Sequence, residues 1–166
     1  MPSPTQTGWH YDLVNARLNM YFRGTRVGHL TATVFALIQN LTNTGSILSS
    51  SATGGVGYAT GAGGAVTQAT SKSTGVTLNT VAGAITMNGA ALANATSVSF
   101  TLTNSAIAAR DCVNVNIQSV ATADSYFVQA DAVAAGSCRI QLRNISAGSL
   151  SEALVLNFAV IKAVNA

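Results

Sequence analysis

Alternation of apolar and polar positions carries most of the structural information between Gly54 and Ile161. Val98, Phe100 and Leu102 alternate with Ser99, Thr101 and Thr103; Val113, Val115 and Ile117 with Asn114, Asn116 and Gln118; Cys138, Ile140 and Leu142 with Arg139, Gln141 and Arg143. Successive side chains of a strand point to opposite faces, so a period of two predicts strands with one dry and one wet face. The same reading places strands over 76–79, 84–87, 97–103, 111–120, 126–133, 138–143 and 154–162. Turn-forming segments separate them at 81–83, 88–95, 104–110, 122–125, 135–137 and 144–151. With a further strand over 56–58 or 66–69, this makes about eight strands at the spacing of a sandwich or jelly roll. The expected core is Val98, Phe100, Leu102, Val113, Val115, Ile117, Ile140, Leu142, Leu154, Leu156, Phe158 and Val160.

Upstream, RLNMYF (17–22) and TRVGHL (25–30) predict a β-hairpin joined at Arg23 and Gly24, with glycine supplying the positive φ of a tight connection. Leu18, Met20 and Phe22 fall on one face, and Arg17, Asn19 and Tyr21 on the other. A strand is favoured over 33–38, where Thr and Val outweigh helix formers. Residues 1–7 read as a flexible or partner-ordered tail. Trp9, His10 and Tyr11 follow it on a terminal arm, where the only tryptophan either anchors an interface or caps the domain's own core. The glycine- and serine-rich stretch 43–64 reads as a linker, with a turn at 61–64. The expected architecture is all-β: an N-terminal arm and β-hairpin over 1–45, and a jelly-roll-like β-sandwich over 46–166.

Composition sharpens this picture. A chain of 166 residues is long enough to bury a core without staples. Only 8% of it is charged, against roughly 25% in ordinary soluble domains. A surface of Ser, Thr, Asn, Gln, Gly and Ala suits permanent assembly with other subunits. The formal charge of +3 reflects few acids rather than many bases. Nucleic-acid binding needs a stripe of Lys and Arg, and only Arg17, Arg23 and Arg26 approach one; they read as a solvated hairpin edge or a protein contact. Cys138 lies on the apolar parity of its strand and Cys112 on the polar parity, which argues for two free thiols. The segment MPSPTQTGWHYD lacks the basic start and apolar core of a signal peptide. No apolar run reaches the roughly 18 residues of a membrane span, so the expected origin is soluble and intracellular.

Candidate chemistry is sparse. The acids Asp12, Asp111, Asp124, Asp131 and Glu152 are scattered, which leaves no pair for glycoside hydrolysis. His10 and His29 have no metal-ligand spacing and no triad context. The run GGVGYATGAGG lacks the Lys-Ser/Thr of a phosphate loop and reads as turn-forming glycine. No enzyme, cofactor or metal is expected.

The segments GVGYATGAGGAVTQATSKSTGVTLN (55–79), AITM (84–87), SVSFTLTNSAIAARD (97–111), AVAAGSCRIQLRN (132–144) and SAGSLSEALVLNFAVIK (146–162) resemble a recurring module of bacteriophage virion proteins. The module is associated with capsid decoration, or cement, proteins of short-tailed phages and with phage surface proteins. The resemblance implies a homodimer or homotrimer on the outer surface of the capsid. There it binds the phage major capsid protein, clamping neighbouring subunits and stabilising the expanded head. On that view the shell contacts come from the segment between Trp9 and Arg26, with Trp9, His10, Tyr11, Arg17, Tyr21, Arg23 and Arg26 as candidates. The alternative is a tail fibre or receptor-binding module for a host surface glycan, with Tyr58, Tyr126 and Phe127 as platforms and Asp124 as a polar partner.

Overall fold

The computed structural model describes residues 7–23, 25–30, 35–37 and 46–163. The chain divides into two compact units, Met1–Gly55 and Val56–Ala166. Every regular element among the described residues is a strand, so the protein is all-β.

The first unit is a meander of four strands, β1 (Gly8–Asp12), β2 (Arg17–Phe22), β3 (Thr25–Leu30) and β4 (Phe35–Leu37), hydrogen-bonded in chain order. β2 and β3 occupy the two segments that the alternation predicts. β4 covers the middle of the strand expected over 33–38; residues 33, 34 and 38, like 1–6 of the expected tail, lie outside the described residues.

One expectation changes here. Residues 8–12 are not an arm but a strand, paired along their length from Gly8 opposite Tyr21 to Asp12 opposite Arg17. Aromatic residues favour a pleated surface, and Asp12 closes the following turn by accepting from the Asn15 amide (3.2 Å) and the Asn15 side chain (2.9 Å). In the β2–β3 turn Arg23 holds a positive φ of +49°, and its amide donates to Thr7 Oγ1 at 3.2 Å; Gly24, where the positive φ is expected, lies outside the described residues.

The second unit holds β5 (Gly63–Thr67), β6 (Val76–Thr77), β7 (Ala82–Thr86), β8 (Ser97–Thr103), β9 (Cys112–Ser119), β10 (Tyr126–Ala134), β11 (Ser137–Asn144) and β12 (Val155–Ile161). They form two four-stranded sheets, β5-β7-β12-β9 and β10-β11-β8-β6, that enclose one apolar cluster as a β-sandwich. The outer pairs β5–β7 and β6–β8 run parallel and the other pairs antiparallel. Val56, Gly57 and Tyr58 lie outside any strand, and Gly63 and Gly64, expected in a turn, begin β5 instead. That glycine pair has a packing reason. Gly64 faces Gly83 across the β5–β7 ladder, and a methyl group at either would meet the Leu78 side chain at 2.8 or 2.7 Å.

Ten of the twelve expected core residues are buried; Val98 and Ile117 are partly buried against the same cluster. Opposed residues of neighbouring strands project to the same face, so Leu156 meets Ile85, Phe158 meets Val115, Ile140 meets Phe100 and Cys138 meets Leu102. Val76, Ile85, Met87, Leu92, Ile107, Tyr126 and Cys138 complete the core. Buried polar side chains pin the loops around it. Asn104 donates to Thr80 O at 2.7 Å, and Asn144 donates to Leu92 O and Gly148 O, each at 2.9 Å. Gln68 donates to Thr74 O at 2.8 Å and accepts from the Asn88 amide at 3.0 Å. Each bonds backbone groups of the segments that join the strands.

Candidate functional site

The register of the first unit sorts the expected contact residues into two faces. Trp9 lies opposite Met20 and Tyr11 opposite Leu18, which in turn lies opposite Leu30. These five side chains therefore share one face. Trp9 is 53% exposed and Tyr11 56%, while Leu18 and Met20 are half-buried between the strands. An aromatic pair over aliphatic neighbours is the composition of an interface centre.

The opposite face is polar. His10 lies opposite Asn19, Asn19 opposite His29, and Tyr21 opposite Arg26. The His10 and Tyr21 rings meet edge-on, with centroids 6.3 Å apart. Asn19 is buried and accepts from Arg26 Nη1 at 3.5 Å. A register shift between Met20 and Tyr21 brings Arg26, rather than Val27, opposite Tyr21. Arg23 sits at the turn with its guanidinium 5.6 Å from the centre of the Phe22 ring. Of Arg17 the backbone pairing with Asp12 is described.

The seven candidates thus do not make one patch. The structure brings Trp9 and Tyr11 together with Leu18, Met20 and Leu30, three residues that the sequence reading did not single out as contacts. Their signal was present in the parity of β2, but the partner strand β1 was needed to place the aromatics above them.

The glycan platform expected from Tyr58, Tyr126, Phe127 and Asp124 does not assemble. Tyr126 is buried, and burial together with the neighbouring Glu152 carboxylate pushes its hydroxyl up to about 12. Phe127, next along β10, is exposed on the opposite face. The Tyr58 hydroxyl donates to the Val160 carbonyl, and Asp124 stands exposed in a turn at φ +55°.

Two ion pairs of the second unit are structural. Asp111 is buried and accepts from Lys162 Nζ (2.5 Å) and the Ala108 amide (2.8 Å), which hold its carboxyl below the usual range. Asp131 takes both Nε and Nη2 of Arg139, at 2.6 and 2.7 Å. Cys112 is exposed and Cys138 buried, both free. Among the described residues no three His, Cys, Asp or Glu side chains converge as a metal site, and no helix is long and apolar enough to cross a membrane. No protein family, curated protein or solved structure matches this chain.

Proposed function

We propose that the protein is a structural component of a phage virion that binds the outer surface of the capsid and clamps neighbouring major capsid subunits as a homodimer or homotrimer. The observation that carries this reading is the face of Trp9, Tyr11, Leu18, Met20 and Leu30, an apolar surface with its aromatic rings exposed. A surface of this kind gains by being covered, because desolvated aromatic anchors dominate association energies. The low charge of the chain and its resemblance to the decoration module support the same reading. The mechanism is mass action: a protein that binds the assembled shell and not its dissociated subunits stabilises the shell, and many modest contacts add up.

The test is antibody labelling of the chain on intact virions by electron microscopy, followed by co-sedimentation of the purified protein with expanded heads. Label spread over the head, and co-sedimentation lost when residues 1–55 are deleted, are the expected results. Label confined to the tail overturns the proposal in favour of receptor binding. Undiminished attachment of the truncated chain overturns the assignment to the first unit.

A further inference from the structure

The outward face of the β10-β11-β8 ladder carries an arrangement that the capsid reading does not use. Its rows are set by register: Phe127 opposite Arg143 opposite Ser97, then Gln129 opposite Gln141 opposite Ser99, then Asp131 opposite Arg139 opposite Thr101. Asp131 and Arg139 neutralise one another through two hydrogen bonds. The two glutamines join at 3.1 Å through Gln129 Nε2 and Gln141 Oε1, which leaves Gln129 Oε1 and Gln141 Nε2 for a ligand.

The first row is different. Arg143 has no acidic partner among the described residues, and no ion pair joins it to Asp124, the nearest acid in sequence to Phe127. It lines a shallow open cavity of about 380 Å³ with Phe127, Ile145 and Ala95. Phe127 is 55% exposed and Ile145 53%, so two apolar surfaces flank one uncommitted guanidinium. Ala95 holds φ +55°, a conformation that L residues adopt at a cost, and its small side chain leaves the cavity open on that side.

We infer that this cavity is a binding site for an acidic saccharide, with the carboxylate of a sugar acid on Arg143 and the apolar face of its ring on Phe127. Three features select that class. A planar guanidinium free to bond in two places matches a carboxylate. An exposed aromatic ring beside it suits the C–H face of a pyranose. The neighbouring row offers amides and hydroxyls, from Gln129, Gln141 and Ser99, rather than further cations, which suits sugar hydroxyls better than a chain of charges. An acidic peptide would meet one cation and then a neutral strip. The inference stands whether the chain sits on the head or on the tail of a virion.

The test uses the full chain and three probes in solution: an oligogalacturonate, a neutral oligosaccharide of equal length, and oligoglutamate. The expected result is binding of the oligogalacturonate, read by calorimetry or by perturbed backbone amide resonances of β10 and β11, with neither of the others competing. Arg143→Gln and Phe127→Ala are each expected to weaken it about tenfold, while Arg110→Gln, an exposed arginine outside the cavity, leaves it unchanged. Both site residues are exposed, so the variants are expected to keep the melting temperature of the parent. Absence of oligogalacturonate binding at millimolar concentration overturns the inference. So does equal competition by oligoglutamate, which would show that charge alone is read, and so does full affinity in Arg143→Gln.

Discussion

Lys72 Nζ donates to the backbone carbonyl of Glu152, 80 residues further along the chain, at 2.6 Å, and at the same distance to the carbonyl of Asn88. One ammonium group therefore ties together three loops of the sandwich. The residue is 3% exposed, and burial pushes its pKa down, partly opposed by the Glu152 carboxylate. Replacing Lys72 by Met leaves two carbonyls without their donor and is expected to destabilise the fold by about 2 kcal/mol. A urea titration reads this as a lower midpoint at unchanged slope. An unchanged or higher midpoint would mean that the penalty of burying the charge outweighs its two bonds.

Among the described glycines, Gly83 is the one with the closest approach to its neighbours. A Cβ there would lie 2.8 Å from Gly64 O and 3.1 Å from Phe158 Cε1, besides its clash with Leu78. Gly83→Ala is expected to destabilise by about 1–3 kcal/mol, the range for overpacking a filled core. Gly89, where an added Cβ would meet nothing within 4 Å, is the control.

Stability is expected to fall on the acid side. The Lys162 ammonium lowers the Asp111 carboxyl, and the Arg139 guanidinium lowers that of Asp131. For Glu152 burial acts in the opposite direction, but the Ala121 amide, the Tyr126 hydroxyl and the Thr122 amide outweigh it. A carboxyl whose folded pKa lies below its unfolded value holds its proton less tightly when folded. Its contribution is then complete above the unfolded values, about 4 for Asp and Glu, and is lost as pH falls through the folded ones. The urea midpoint is expected to be flat from neutrality to about pH 5 and to drop below about pH 4. Asp111→Asn is expected to shallow that acid limb, and a midpoint that rises on acidification would contradict the assignment.

The two thiols are expected to react differently. Burial, with the Asp131 charge adding to it, pushes Cys138 up to about 11, while Cys112 is exposed. A disulfide reagent at pH 8 is therefore expected to modify one thiol of the native protein and two after unfolding. Rapid modification of both in the native state would mean that β11 opens readily.

Trp9→Ala is expected to weaken attachment to capsids about 30-fold, corresponding to about 2 kcal/mol for an interface anchor. Because more than half of the ring is exposed, the unfolding midpoint is expected to move little. A large loss of stability instead would show that the ring braces its own sheet.

The sandwich strands were legible where one face is dry and the other wet: β8 has its expected bounds, and β9, β11 and β12 lie within a residue of theirs. β1 was not legible, because Trp9, His10 and Tyr11 are all exposed and a strand wet on both faces shows no period of two. Ile107 and Leu92 escaped the core assignment because each sits between strands. Leu92 is drawn in by an isolated bridge to Leu150, and Ile107 by the Gly136 amide, which donates to its carbonyl at 2.9 Å. Nothing near Lys72, set among Ser71, Ser73 and Thr74, marks it for burial; its partners are brought by the fold. The site divided similarly. Parity separated Leu18 and Met20 from Asn19 and Tyr21, but the aromatics could be placed only through the β1–β2 register. Phe127 and Arg143 come together only through the β10–β11 ladder.

In the first unit each strand pairs with the next in the chain, whereas in the sandwich only β10 and β11 do so. The sandwich sheet β5-β7-β12-β9 is centred partly on β12, the last described strand to leave the ribosome. Until residues 155–161 arrive, β7 and β9 have no shared partner, and the core faces of Ile85, Val113 and Val115 stay open. Loop closure over such separations slows folding, so the N-terminal meander is expected to complete its ladders while the sandwich is still unassembled. On that order the nascent chain would present its exposed aromatic sheet and an unfinished core at the same time, the interval in which aggregation competes with folding.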